Sequence, residues 1–546
     1  MKFFRRTTLV STSLLVAGCA AAAACSSDNG SSNGNDGGSG GSVSESGGSS
    51  GKAGSGGASS GGASSGGSSG TGTGGLGTTN DGGVIPRDSG TDATGADGGD
   101  AGAMAMFRVV HAAPGAGAVD IYVSGTSKAV ATNIAYGGST PYLSLAAGTY
   151  TFDLRKAGDA ATATPLFTTP SIDVSAGARY TAVAEGNIAS TAAADRFRVA
   201  ALPETFTPAG AGKARIRVVH ANYDGPAVDL DIGNDDAANP DFKGLKPFTD
   251  TGAAGIEVDA DTNVQVGVVV GGVTLTAFTT PKLDAGSDVF VIATGLAAKL
   301  AREPTGLAAL AVLPDSSTTL IRQNPRVYAL HASPDAGPVD AFLGPIEAID
   351  NASFNDFKIL QVPPGMYTLD LFAGVAGATT RPAGAPVASV TTPMLEAGNS
   401  YLSVLAGTVT TATKTLKLTT LAEGFDLTKS AQALVRVVHG SSDAPKVDVG
   451  LVTTPGTLVT PAPFTGLSFG DASDPVGASV PIGADTLGAA ATGTTTTMAE
   501  FAVTTAAAQR SFAVVAGSAA GGAHPLELLV VDTTGAFWAP HVIAKN

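Results

Sequence analysis

At 546 residues the chain is long enough for three or four ordinary domains. Its net charge of −15, with only 14% charged residues, offers no basic stripe to displace phosphate counterions and no polybasic patch for anionic lipid, which argues against nucleic acid as a partner. The two cysteines, Cys19 and Cys25, both stand near the N-terminus, so the rest of the chain has no disulfide, zinc-thiolate cluster or cysteine nucleophile.

The first element in chain order is a leader. Lys2, Arg5 and Arg6 form a positive segment, and Thr7 to Gly18 is an apolar run too short to span a membrane comfortably. Val16-Ala17-Gly18-Cys19 resembles the bacterial lipobox, in which a small residue precedes a cysteine that is acylated and becomes the mature N-terminus. Ala22-Ala23-Ala24-Cys25 is a second match, so Cys19 is the expected lipidation site and Cys25 the alternative. Residues 1–25 are accordingly read as a lipoprotein-type signal peptide and anchor. The protein is then exported and held by lipid at a bacterial envelope, on the outer membrane or cell surface. The competing reading is an ordinary secretory signal with incidental cysteines.

Residues 26–103 hold 28 Gly and 18 Ser in 78 positions. Such a segment cannot bury enough apolar surface to offset its ordering entropy and is expected to be a disordered stalk, with a root-mean-square span of roughly 50 Å. Two strings in it, at 57–61 and 62–66, match Gly-x-Ser-x-Gly. A nucleophile elbow needs a strand before the serine and a helix after it, and a Gly/Ser coil supplies neither.

Beyond Ala103 the texture becomes short alternating strands. In the first stretch Phe107–Ala112, Val119–Val123, Tyr142–Leu145, Tyr150–Arg155, Ile172–Val174, Tyr180–Ala184 and Phe197–Leu202 read as strands, broken by Gly, Pro, Asp and Asn. The opening strand recurs: R-V-V-H-A at 108–112 and 217–221, V-Y-A-L-H-A at 327–332 and R-V-V-H-G at 436–440. Each histidine is followed nine residues later by an aspartate, giving His111/Asp120, His220/Asp229, His331/Asp340 and His439/Asp448. The histidines lie 109, 111 and 108 residues apart, a period that suits tandem domains rather than a solenoid. The predicted architecture is all-β: four tandem antiparallel β-sandwich, immunoglobulin-like domains at 104–206, 214–316, 324–425 and 432–546. Joints of about seven residues predict semi-rigid spacing, and domain-sized units predict independent folding. The Thr/Ala/Gly-rich 484–498 is expected to be an enlarged loop.

The run His331-Ala332-Ser333-Pro334-Asp335-Ala336-Gly337-Pro338-Val339-Asp340 resembles the signature V-H-A-S-P-D-A-P-x-V-D-V-Y of the bacterial domain-of-unknown-function 4397 family. His111 to Tyr122 and His439 to Asp448 follow it with substitutions, and Pro141 to Tyr150 also fits. The second unit departs at Asn222-Tyr223, and the fourth is weak beyond Val449. The resemblance implies exported or surface-attached β-sandwich modules in tandem, with no chemistry attached.

Four of the six histidines occupy one repeat position. Imidazole with a carboxylate can be a metal ligand or an oriented base. The preferred reading is structural: the histidine closes the first strand onto its turn, and the aspartate bonds backbone N–H groups by the second. A turn must be capped once per domain, whereas an enzyme rarely needs four copies of its site. Asp229, Asp231, Asp235 and Asp236, with Asp241 and the carbonyls of Asn234 and Asn239, form a Ca²⁺ candidate, against which stands a solvated acidic loop. Trp538 reads as core rather than a sugar platform. No P-loop, dinucleotide fingerprint or zincin motif occurs in the folded region, so no cofactor and no metal is expected. The expected function is a non-catalytic structural or binding module whose partners are the membrane, through lipid, and an envelope or extracellular polysaccharide or protein. The alternatives are a carbohydrate- or polymer-binding adhesin and an envelope hydrolase using the His/Asp pairs.

Overall fold

A computed structural model describes residues 103–410 and 416–546. Cys19, Cys25, the two Gly-x-Ser-x-Gly strings and the Gly/Ser stretch as far as residue 102 lie outside the described residues. Among the described residues there is no helix, and the regular structure is all strand. The first unit contains β1 (Ala105–His111), β2 (Val119–Val123), β3 (Ala129–Ile134), β4 (Leu143–Leu145), β5 (Gly148–Tyr150), β6 (Phe152–Lys156), β7 (Phe167–Thr168), β8 (Ile172–Val174), β9 (Arg179–Glu185) and β10 (Arg198–Pro203). They form two four-stranded sheets, β10-β9-β1-β4 and β3-β2-β6-β7, and a small β5-β8 pair. Phe107, Ile121, Phe152, Leu154 and Ala182 fill the space between, with Phe107 stacked on Phe152 at 5.3 Å.

This is the expected all-β sandwich. Its strands pair antiparallel except at one place: β1 runs parallel to β9, from Met106 beside Arg179 to His111 beside Ala184. The same parallel pair recurs as Lys213–His220 with Asp288–Thr294, Arg326–His331 with Ser400–Ala406, and Ala433–His439 with Arg510–Ala516. A parallel pair requires a long crossover, and here the whole second sheet supplies it. Two strands escape the sequence pattern. β3 is a half-exposed edge strand kinked at Asn133 (φ 55°), and β7 is two residues long. The predicted Tyr150–Arg155 strand is broken at Thr151 into β5 and β6, which belong to different sheets.

The domain-sized repeat predicts separately folding units, but the units share cores in pairs. Val110, Ala112 and Val183 of the first unit pack with Val219, Ala221, Phe290, Ile292, Leu310 and Val312 of the second. Tyr328, Leu330, Leu402 and Val404 of the third pack likewise with Leu434, Val438, Phe512, Val514 and Trp538 of the fourth. The histidine strand therefore has two apolar faces: Phe107 and Val109 enter its own sandwich, and Val110 enters the shared core. That is why it reads as a continuous apolar run rather than an alternation.

The arginine three residues before the histidine finishes these joints. Arg108 donates from Nη1 to the Leu313 carbonyl across the pair, and Arg217 forks onto Asp250 while donating to Pro203 O at 2.9 Å. Arg436 donates to Ala422 O at 2.7 Å over the Phe512 ring. The joint between the second and third units has polar contacts instead: Gln361 Nε2 donates to Thr276, Asn324 bonds Gln265, and Arg302 pairs with Glu423. The second and fourth units also carry a fifth strand on the shared-core sheet, Thr318–Arg322 and Ala539–Ala544, absent from the corresponding sheets of the first and third. The architecture is a two-unit block repeated once.

The expected loop at 484–498 is corrected. Gly483–Ala491 and Thr497–Thr505 form a hairpin of two nine-residue strands. Leu487, Ala489, Ala499 and Phe501 face the core, and threonines at intervening and end positions favour extended backbone. Composition suggested a loop because the residues are small, yet they pair in register across the hairpin as strands.

Candidate functional site

The four histidines are 0–3% exposed. Each Nε2 bonds the carbonyl six residues on: His111 to Gly117 at 2.7 Å, His220 to Pro226 at 3.0 Å, His331 to Gly337 at 3.0 Å and His439 to Pro445 at 2.9 Å. In the first and third units Nδ1 also accepts the backbone N–H of Ala113 or Ser333, both at 3.3 Å. With Nδ1 accepting, Nε2 must carry the proton, so the ring is a neutral imidazole buckling the turn. Burial holds His111, His220 and His331 below the ordinary imidazole range, and the bond to the turn carbonyl offsets this only in part.

The aspartates do a different job. Asp120 Oδ1 accepts the N–H of Asn133 at 2.7 Å, Asp229 that of Gly244, Asp340 that of Asn351 and Asp448 that of Gly466, all at the same distance. Each of those four residues has positive φ: 55°, 72°, 46° and 69°. Each lies in the strand beside the aspartate, where the register shifts at a β-bulge. The carboxylate occupies the gap that the bulge opens and satisfies the N–H that the ladder no longer pairs. In the first, third and fourth units Oδ2 takes a second N–H, from Gly158, Val375 and Gly493. The histidine and aspartate of each pair thus serve separate backbone groups.

A third recurring group is the aspartate of the turn that follows the histidine. Asp224, Asp335 and Asp443, four residues after the histidine, each accept two successive N–H groups from the loop beyond the parallel strand: Ala297 and Ala298, Val409 and Thr410, Ala519 and Ala520. Burial alone would raise the Asp443 carboxyl, but bonds from Ser518, those two amides and Ser441 outweigh it and pull it down to about 2. The first unit has Gly115 here. The D in S-P-D-A was the available signal, and only the fold brings it to a loop some 75 residues away.

The acidic candidate of the second unit is a hairpin device. Asp231 accepts the N–H groups of Asp235 and Asp236, Asp241 that of Ile232, and Asp229 that of Gly244. Among the described residues, the carboxylates whose ligand atoms come within 4.8 Å of one another lie elsewhere, at Asp340, Glu347 and Asp350. Two of those already hold N–H groups, of Asn351, Val375 and Gly377. Trp538 is buried and stacked on Tyr328, so its faces are not offered to a sugar.

Two cavities lie inside the sandwiches. One of about 70 Å³ in the third unit has apolar walls, with Val327 and Leu369 at the register positions that Phe107 and Phe152 fill in the first. The other, of about 210 Å³, is at the end of the fourth unit.

The family model for a domain of unknown function, DUF4397, matches residues 105–231 and 325–450. Each match begins at the histidine strand of the first or third unit and ends in the second strand of the next, so the family model matches once per two-unit block. No curated protein matches the chain.

Proposed function

We propose that the protein is a bacterial cell-envelope lipoprotein that displays two blocks of paired β-sandwiches as a non-catalytic binding module. Cys19, or Cys25, carries the lipid, and the Gly/Ser stretch holds the blocks away from the membrane. The observation that carries this reading is the use of the repeated polar residues. Every histidine bonds its own turn and every paired aspartate its own bulge, so the repetition copies a folding device and not a reaction centre. The same geometry weighs against a hydrolase built on His/Asp pairs, because a general base must come within hydrogen-bond reach of its substrate and these rings are buried. Repeated domains on one chain also multiply weak contacts through effective concentration, which suits a binding role and includes the polymer-binding adhesin.

Mass spectrometry of the N-terminal peptide from the mature protein, with protease shaving of intact cells, tests the proposal. An acylated cysteine and release of 104–546 by shaving are expected. An unmodified N-terminal peptide, or a chain recovered only in the medium, would overturn it.

A further inference from the structure

The end of each sandwich remote from the histidine turn carries two recurring side-chain positions. One stands on the parallel partner of the histidine strand, level with the residue four before the histidine: Tyr180, Val289, Tyr401 and Ser511. The other stands five residues before the one paired with the bulge aspartate: Tyr150, Val264, Tyr367 and Asp485. In the first and third units two tyrosines therefore plug the end. Their hydroxyls are held by the adjoining turns, Tyr150 donating to Ala146 O, Tyr367 to Pro363 O, and Tyr180 and Tyr401 accepting from Ser175 and Glu396 N–H. In the second unit two valines pack there against the core.

The fourth unit has neither ring nor branched aliphatic. Asp485 and Ser511 leave the end open as the cavity of about 210 Å³, larger than the roughly 150 Å³ that admits benzene into an apolar core. Its floor is apolar, including Val435, Leu487 and Val530, while Gln509, Asp532 and His541 stand with Asp485 and Ser511 along its wall. Gln509 Nε2 donates to Ser511 Oγ at 3.2 Å, and Asp532 holds the Thr534 N–H. Among the described residues the half-buried Asp485 carboxylate has no hydrogen-bond or ion-pair partner, and no lysine or arginine lines the cavity. A carboxylate on the wall of a partly apolar pocket, with no lysine or arginine beside it, is a ready partner for a ligand that brings a cation. No phenylalanine, tyrosine or tryptophan lines the pocket, so neither the usual sugar-stacking platform nor an aromatic cage for a quaternary ammonium is available.

We infer that this end of the fourth unit binds a small organic cation, a primary ammonium on a compact apolar body, with the ammonium on Asp485 and Ser511 and the body on the valine and leucine floor. The inference rests on the reading of the array as a binding module. Its test uses the purified full-length chain, so the anchoring reading can fail without touching it.

Calorimetric titration with cyclohexylammonium, cyclohexanol and cyclohexanecarboxylate is the experiment. A charge-assisted bond to the carboxylate should make the ammonium bind at least about tenfold more tightly than the neutral alcohol, with the anion weakest. Asp485→Asn should remove that preference and leave the alcohol unchanged. Ser511→Tyr, which restores the plug of the first and third units, should abolish binding of all three. Equal binding of ammonium and alcohol to the native chain, no binding of either at millimolar concentration, or an unaltered preference in Asp485→Asn would each overturn the inference. Because Asp485→Asn carries the decisive comparison, the outcome does not depend on Ser511→Tyr folding.

Discussion

The rings of Tyr328 and Trp538, 210 residues apart, stack at 4.3 Å between centroids and 12° between planes, across the boundary of the third and fourth units. Tyr328 is wholly buried on the histidine strand of the third unit, and its hydroxyl accepts the Trp538 backbone N–H at 3.3 Å. A tryptophan leading into the final strand is thereby a core residue of its neighbour as much as of its own unit.

This contact predicts joint unfolding. Trp538→Ala should cost about 3–5 kcal/mol and should destabilise the third unit together with the fourth. Trp538 is the only tryptophan, so its fluorescence reports this interface directly. Denaturant curves from that fluorescence and from the far-ultraviolet signal should coincide for residues 324–546. Two separated transitions, with the third unit unaffected by the substitution, would contradict a shared core.

The first block gives a complementary prediction. Residues 104–206 alone would expose Val110, Ala112 and Val183, which the second unit covers. That fragment is expected to associate or to melt well below residues 104–322, which keep the face covered. Sedimentation and melting of the two fragments decide it, and a monomeric, equally stable single unit would refute the pairing argument.

His331→Ala should cost about 1–3 kcal/mol by leaving the Gly337 carbonyl and the Ser333 N–H without their partner, roughly 2–12 °C in melting temperature for a cooperative block of some 200 residues. The sign with pH follows from burial, which lowers the folded-state value below 6.5. On acidification the unfolded chain binds the proton first, so stability is full above about 6.5 and is lost as pH falls toward the folded value. His111 and His220 act in the same sense. The variant should therefore lose part of the acid sensitivity between pH 6.5 and 5. A native chain whose stability is flat over that interval would count against buried neutral imidazoles.

Glu185 predicts the opposite slope. It is 1% exposed beside the first joint, and its Oε2 has no hydrogen-bond partner. Burial pushes its carboxyl up to about 8; Arg198 acts against this and Asp250 with it. The folded chain then holds a proton that the unfolded chain has released above about 4.5, so stability is full below that value and falls as pH rises through about 8. Glu185→Gln should leave the first block unchanged near pH 4.5 and make it more stable than the native chain at pH 9. Parallel melting-temperature curves for the two proteins across that range would show that the carboxyl is not perturbed.

The sequence by itself determined what depends on neighbours along the chain. Strand alternation, the turn residues and the His-x₈-Asp spacing are local, because a histidine that bonds a carbonyl six residues on does so within one turn. The unbroken apolar run of R-V-V-H-A also carried the signal for a strand buried on both faces. Only the tertiary structure decided which face meets which neighbour, since that turns on Val110 and Phe290, or Tyr328 and Trp538, far apart in sequence. It also decided that histidine and aspartate do not act together, and that Asp443 reaches the amides of Ala519 and Ala520. The open end of the fourth unit is the same kind of fact. Asp485 and Ser511 are ordinary residues on separate strands, and they become a pocket only because two sheets place them where other units put rings or valines.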